Sequence, residues 1–136
     1  MQAISPFTTS LYVAAGGGAG ALLRYQLGRG MTRALGTDGA AAFPYATLSA
    51  NVLGSLAMGV LAGWLARHGD GGSEALRLLL GVGLLGGFTT FSSFSLEMML
   101  LIERGQPGLA VGYAAVSLLA GLGALYLGLV AMRASA

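Results

Sequence analysis

The sequence contains no cysteine, a single histidine (His68), no lysine and only five acidic residues. Without cysteine there is no disulfide and no thiolate chemistry, and one histidine alone cannot build a zinc site of ordinary ligand count. Charged residues make up 9% of the chain, against about 25% in an ordinary soluble domain. So few cannot cover a globular surface with solvated side chains, and the chain belongs in lipid. Seven arginines (24, 29, 33, 67, 77, 104 and 133) oppose Asp38, Asp70, Glu74, Glu97 and Glu103, for a net charge of +2. That charge is too small and too dispersed for a nucleic-acid surface, and most of it sits at the ends of apolar runs, where long side chains can snorkel to the interface. No Ser/His/Asp set, plausibly spaced carboxylate pair or phosphate loop in context is present, so no enzyme is expected. No basic residue precedes Arg24, so the apolar start does not read as a secretory leader.

What is abundant is apolar sequence and glycine: 55% of residues are hydrophobic and 24 are glycine. A membrane-spanning helix needs roughly 20 predominantly apolar residues. Residues 9–32, 45–66, 75–102 and 108–132 each meet that length. The pieces between them, 35–44, 67–74 and 103–107, hold the Gly, Pro and charged residues of turns. The expected fold is a single all-α membrane domain over residues 1–136, with four transmembrane helices and both termini on one side.

The third segment contains Gly86-Gly87-Phe88-Thr89-Thr90-Phe91-Ser92-Ser93-Phe94-Ser95. Adjacent glycines, β-branched threonines and serines together lower helix propensity, glycine alone by about 1 kcal/mol relative to alanine. The spacing predicts a helix that breaks at 86–90, midway across the membrane, and resumes near Phe91. Backbone groups freed there have no water, and are tolerated where they line a cavity, bind an ion or are buried in protein. Before this helix, Ser73 reads as a cap and Glu74 as a favourable charge against the helix dipole.

On the first helix Gly16, Gly20, Arg24 and Gly28 recur every four residues, which reads as a small-residue packing seam ending in an expensive arginine. Arg24 has two readings: an entrance that attracts anions, or a partner for helix-end carbonyls. Gly81-x-Gly83-x-x-Gly86 matches a dinucleotide fingerprint, but without a strand-turn-helix context it reads as helix packing. The second helix carries Thr47, Asn51, Ser55, Gly59 and Gly63 on one face, so Asn51 is expected to offer two amide donors beside Thr47. Trp64 reads as an interfacial anchor. Tyr113, Ser117 and Gly121 share a face of the fourth helix, extending a line of hydroxyls.

With four spans, Arg67, Arg77 and Arg133 fall on one side of the membrane and Arg29, Arg33 and Arg104 on the other. Three against three gives the positive-inside rule no preferred orientation. Chains inserted both ways can pair antiparallel, and four helices enclose little pathway, so a homodimer is the expected unit. The polar groups at membrane depth are mainly donors, which suits a small anion, and phenylalanine edges carry partial positive charge that can also face one.

Three motifs, Gly17-x-x-Gly20-Ala21-x-x-Arg24-Tyr25, Thr47-x-x-x-Asn51-x-x-Gly54, and the 86–95 stretch followed by Glu97, closely resemble the Fluc/CrcB fluoride channels. The resemblance implies an antiparallel dual-topology homodimer in a bacterial inner membrane, exporting fluoride passively through two pores. It implies that Phe91 and Phe94 line the path beside Asn51, with Thr47, Ser92, Ser93, Glu97, Tyr113 and Ser117 along it and Arg24 near the entrance. It further implies a structural, untransported sodium ion held by the backbone carbonyls of Gly86 and Thr89. Ser93 stands where threonine is frequent in the family, and Gly121 where some members have serine. Two other classes compete: a proton-coupled exporter of the small multidrug-resistance type, which requires a carboxylate in the first helix where this chain has Arg24, and a non-transporting assembly subunit.

Overall fold

A computed structural model of the chain describes residues 4–68 and 73–134, and all regular structure among them is helical. Helix α1 spans Pro6–Ala42. Ser5 caps it by accepting the Thr8 amide at 3.2 Å, and Pro6 stands at the first helical turn, where a missing N–H costs nothing. The connection expected over 35–44 is mostly helical instead. The chain kinks at Gly36 (φ 73°, ψ 168°), a conformation glycine reaches without steric cost. The alanine-rich 37–42 then continues as helix, leaving only Phe43 and Pro44 before α2, Tyr45–Arg67.

Helix α3 runs over residues 73–88 and is not uniform: an α-helical Ser73–Leu76 leads into a π-helical Arg77–Leu85 and then α-helical Gly86–Phe88. The wider turns leave the Gly86 amide donating to the carbonyls of Gly81 and Gly83. The cap assigned to the Ser73 side chain lies outside the described residues. Helix α4 is Phe91–Glu103 and α5 is Pro107–Ala134. Between them Gly105 takes φ 73°, its amide donates to Ile102 O at 2.9 Å, and Gln106 N–H donates to Leu101 O at 2.9 Å. These are the two bonds of a Schellman closure.

Glycines decide which helices touch. Gly16 and Gly20 are buried, and a Cβ on them would collide with the carbonyls of Leu79 and Leu84, while one on Gly87 would strike the carbonyl of Gly17. Helices α1 and α3 therefore run parallel with their backbones in direct contact. Gly59 against Leu125 and Gly128 against Leu56 do the same between α2 and α5. In lipid, close backbone approach supplies the association that the hydrophobic effect supplies in water. The seam read from Gly16 and Gly20 ends there, since nothing lies within 4 Å of a Cβ on Gly28.

Among the described residues three helical stretches, Tyr45–Arg67, Glu74–Glu103 and Pro107–Ala134, are long and apolar enough to cross a membrane. The first helix, counted from the sequence as a fourth span, is not among them. Its glycines, hydroxyl residues and arginines dilute its apolar run.

Candidate functional site

The site is built around two residues that are not helical. Thr89 (ψ 157°) follows α3 and Thr90 (φ −154°, ψ 122°) precedes α4, both extended. An extended residue offers its N–H and C=O like an unpaired strand edge, and a carboxamide can satisfy both. Asn51 of α2 does so: its Oδ1 accepts the Thr90 amide at 2.8 Å and its Nδ2 donates to the Thr90 carbonyl at 3.1 Å. Thr90 caps α4 as well, its Oγ1 accepting the Ser93 amide at 3.2 Å and donating to Ser93 Oγ at 3.2 Å. Gly54 makes the approach of α2 feasible, because a Cβ there would strike the Thr89 methyl.

These bonds redirect the backbone. In a continuous helix the Thr90 amide would go to the Gly86 carbonyl and the Ser93 amide to that of Thr89. Here the first goes to Asn51 and the second to the Thr90 hydroxyl. The carbonyls of Gly86 and Thr89 thus lose those two helical donors, and carbonyl oxygens are the ligand type that hard cations take.

A cavity of about 260 Å³ adjoins the break, lined by Asn51, Thr90, Phe91, Phe94 and Ser117 among others. The Phe91 and Phe94 rings lie 5.8 Å apart, and Phe91 is 79% exposed. The Ser117 hydroxyl is buried and has no hydrogen-bond partner among the described residues. Asn51 holds two N–H bonds and spends one on Thr90, so one donor, not the two expected, remains for the cavity.

Past Phe94, whose ring is 5.0 Å from that of Tyr113, the character changes. Thr47 Oγ1 donates to Glu97 Oε1 at 2.6 Å and the Tyr113 hydroxyl donates to Oε2 at 2.8 Å. Tyr113 is fully buried and packed edge-on by Phe43 at 5.3 Å. Read from the sequence as polar groups along a path, Thr47 and Tyr113 have their hydroxyl hydrogens committed to a carboxylate. On the far side of Glu97 a second cavity of about 170 Å³ is lined by Glu97, Ala41, Pro44, Leu101 and Arg104.

Of the residues singled out in the sequence, Asn51, Phe91, Phe94 and Ser117 meet at one cavity, and Thr47, Glu97 and Tyr113 form the network beside it. Ser93 is bound to Thr90, and Ser92, exposed, lies with its Oγ 3.3 Å from that of Thr90. Arg24 is not with them. It lines a shallow depression with Tyr25, Arg29, Thr32 and Arg33, and among the described residues no helix-end carbonyl accepts from it. A Cβ on Gly121 would come 3.5 Å from Ser55 Oγ, so a hydroxyl at that position would meet Ser55. Three contributors carry no role in the sequence reading. The Thr90 backbone was detectable from the Thr-x-x-Ser capping pattern of Thr90 and Ser93, while Phe43 and Arg104 gave no signal, because their partners are remote in sequence.

Residues 11–129 match the model of the family described as CrcB-like protein, Camphor Resistance (CrcB). The chain belongs to the CrcB family. Relatives of this CrcB protein include one from Novosphingobium aromaticivorans, 59% identical over 126 residues that cover 93% of this chain and 97% of that one. Another, from Erythrobacter litoralis, is 50% identical over 133 residues, 98% of each chain. A third, from Caulobacter vibrioides, is 49% identical over 123 residues, 90% of this chain and 94% of that one. All three bear the name "Fluoride-specific ion channel FluC". Family membership and three membrane-length helices make this CrcB protein a multi-pass protein of a bacterial membrane.

Proposed function

We propose that this CrcB-family chain is a fluoride-specific channel, a conductor rather than an enzyme, that lowers cytoplasmic fluoride by passive export. The observation that carries the reading is the cavity shared by Asn51, Phe91, Phe94 and the unpartnered Ser117 hydroxyl, in a chain whose relatives bear the fluoride-channel name. Fluoride is small and holds its water tightly, so a path for it must substitute closely placed donors for hydration. The Ser117 O–H and the second Asn51 N–H are such donors, and the edges of the Phe91 and Phe94 rings add partial positive charge without competing hydrogen bonds. Chloride, being larger, gains less from donors set this closely.

In this reading the working unit is an antiparallel dual-topology homodimer with two pores. The equal division of flanking arginines supports insertion in both senses, and α1 serves as the fourth span. The break at Thr89 and Thr90 then lies at mid-membrane. The carbonyls of Gly86 and Thr89 from both copies would hold a structural sodium ion, which when bound supplies a fixed positive charge and ties the two broken helices together. Arg24 stands at the entrance.

The test is efflux from liposomes reconstituted with the purified protein, read with a fluoride electrode and compared with chloride efflux and with uptake of a cationic dye. Rapid fluoride loss, without comparable chloride or dye movement, is the expected result. Dye transport coupled to protons, or no ion movement at all, would refute the reading.

A further inference from the structure

The second cavity, beyond Glu97, has a composition that the fluoride reading leaves unexplained. A carboxylate fixed beside an anion path repels the permeating ion, yet Glu97 lines this cavity and is held in place by two hydroxyl donors. Across the same cavity stands Arg104. Its position is set by the chain on both sides. The Schellman closure with Gly105 at φ 73° ends α4 at Arg104, and its Nη1 donates to the Ala41 carbonyl at 2.8 Å, tying it to the end of α1. A guanidinium has five N–H donors in a rigid fork, the bond to Ala41 uses one of them, and the side chain lines the cavity while exposed to its surroundings. Among the described residues no ion pair joins Arg104 to Glu97. The two charges therefore face one space without closing it.

We propose that Arg104 and this cavity form an anion-collecting site at the Glu97 end of the path, taking a small hydrated anion before it is stripped of water. The inference rests on the fluoride-channel reading and adds to it a residue and a site. Arg104 offsets the repulsion of Glu97, raises the local anion concentration at that mouth, and supplies donors while the ion still keeps part of its shell. A charge acting this way governs how often an ion enters rather than how fast it crosses, so its influence is largest at low fluoride and low ionic strength.

Arg104→Gln, Arg104→Lys and the wild type are reconstituted in liposomes, and fluoride efflux is measured across fluoride concentrations at low and high ionic strength. Thermal unfolding of each protein in detergent is followed in parallel. Arg104→Gln is expected to lower efflux about tenfold at low fluoride, to converge on the wild type at high fluoride, and to lose most of the salt dependence. Arg104→Lys, which keeps the charge, retains most of the low-fluoride efflux. Equal efflux by Arg104→Gln and wild type at every concentration overturns the assignment. So does an equal loss in both variants that persists at high fluoride and follows a drop in melting temperature, which would mark Arg104 as a tether for Ala41 alone. A wild type that moves no fluoride defeats the channel reading itself, a result distinct from either.

Discussion

Replacing Asn51 with aspartate changes one atom group and tests the centre of the site. The carboxylate keeps the bond from the Thr90 amide, now charge-assisted, at the 2.8 Å position. It loses the other, because an oxygen replaces the Nδ2 that donates to the Thr90 carbonyl at 3.1 Å, leaving two acceptors face to face. The lost bond and the unsatisfied carbonyl together cost about 1–3 kcal/mol of stability, short of unfolding a membrane domain. The effect on conduction is larger. A fluoride ion passing about 5 Å from the new charge, at an effective dielectric constant of about 20, is raised by about 3 kcal/mol, which slows passage by roughly two orders of magnitude. Fluoride-electrode recordings of proteoliposome efflux should therefore fall at least that far, while gel filtration in detergent still gives the wild-type profile. Undiminished efflux from a correctly assembled Asn51→Asp protein would refute the argument that this side chain faces the ion.

Phe94→Ile removes the ring that bridges Phe91 and Tyr113 and substitutes an apolar surface with no positive edge, so fluoride efflux should be abolished in a protein that still assembles. Ser117→Ala deletes a hydroxyl that has no partner among the described residues; melting temperature should stay unchanged or rise slightly, while efflux falls, and an equal efflux would remove Ser117 from the path. Gly20→Ala sets a methyl against the Leu84 carbonyl and 2.7 Å from the Phe88 amide, which should destabilise the α1–α3 pair by about 1–3 kcal/mol, seen as a lowered thermal midpoint. The same substitution at Gly28, with nothing within 4 Å, should leave the midpoint in place.

Much of the site was legible before any coordinates because its chemistry is local. Thr89 and Thr90, the extended pair, fall inside the one stretch where glycines and hydroxyl residues accumulate, and Phe91, Phe94 and Glu97 follow at helical spacing from there. The seam at Gly16 and Gly20 was legible for a similar reason, since small residues every four positions leave a groove that another helix fills. The connection expected over 35–44 does bend, at Gly36, but the helix that resumes over 37–42 was missed, because the glycine, proline and charge in that piece read as a turn. The π-helical Arg77–Leu85 was missed because its apolar residues suit an α-helix equally well.

By itself, the order of residues determined that the chain is helical, that it belongs in lipid, and that its polar groups concentrate on a few faces, since all of these follow from composition and from contacts within a few positions. Only the tertiary structure decided what those polar groups bond to. Asn51 and Thr90 are 39 residues apart, and Thr47 and Glu97 are 50 apart. Which hydrogen each spends on the protein, and which it keeps for an ion, depends on where two helices cross. At the break that crossing needs Gly54, where a Cβ would strike the Thr89 side chain, and no local pattern says which residue Gly54 will meet.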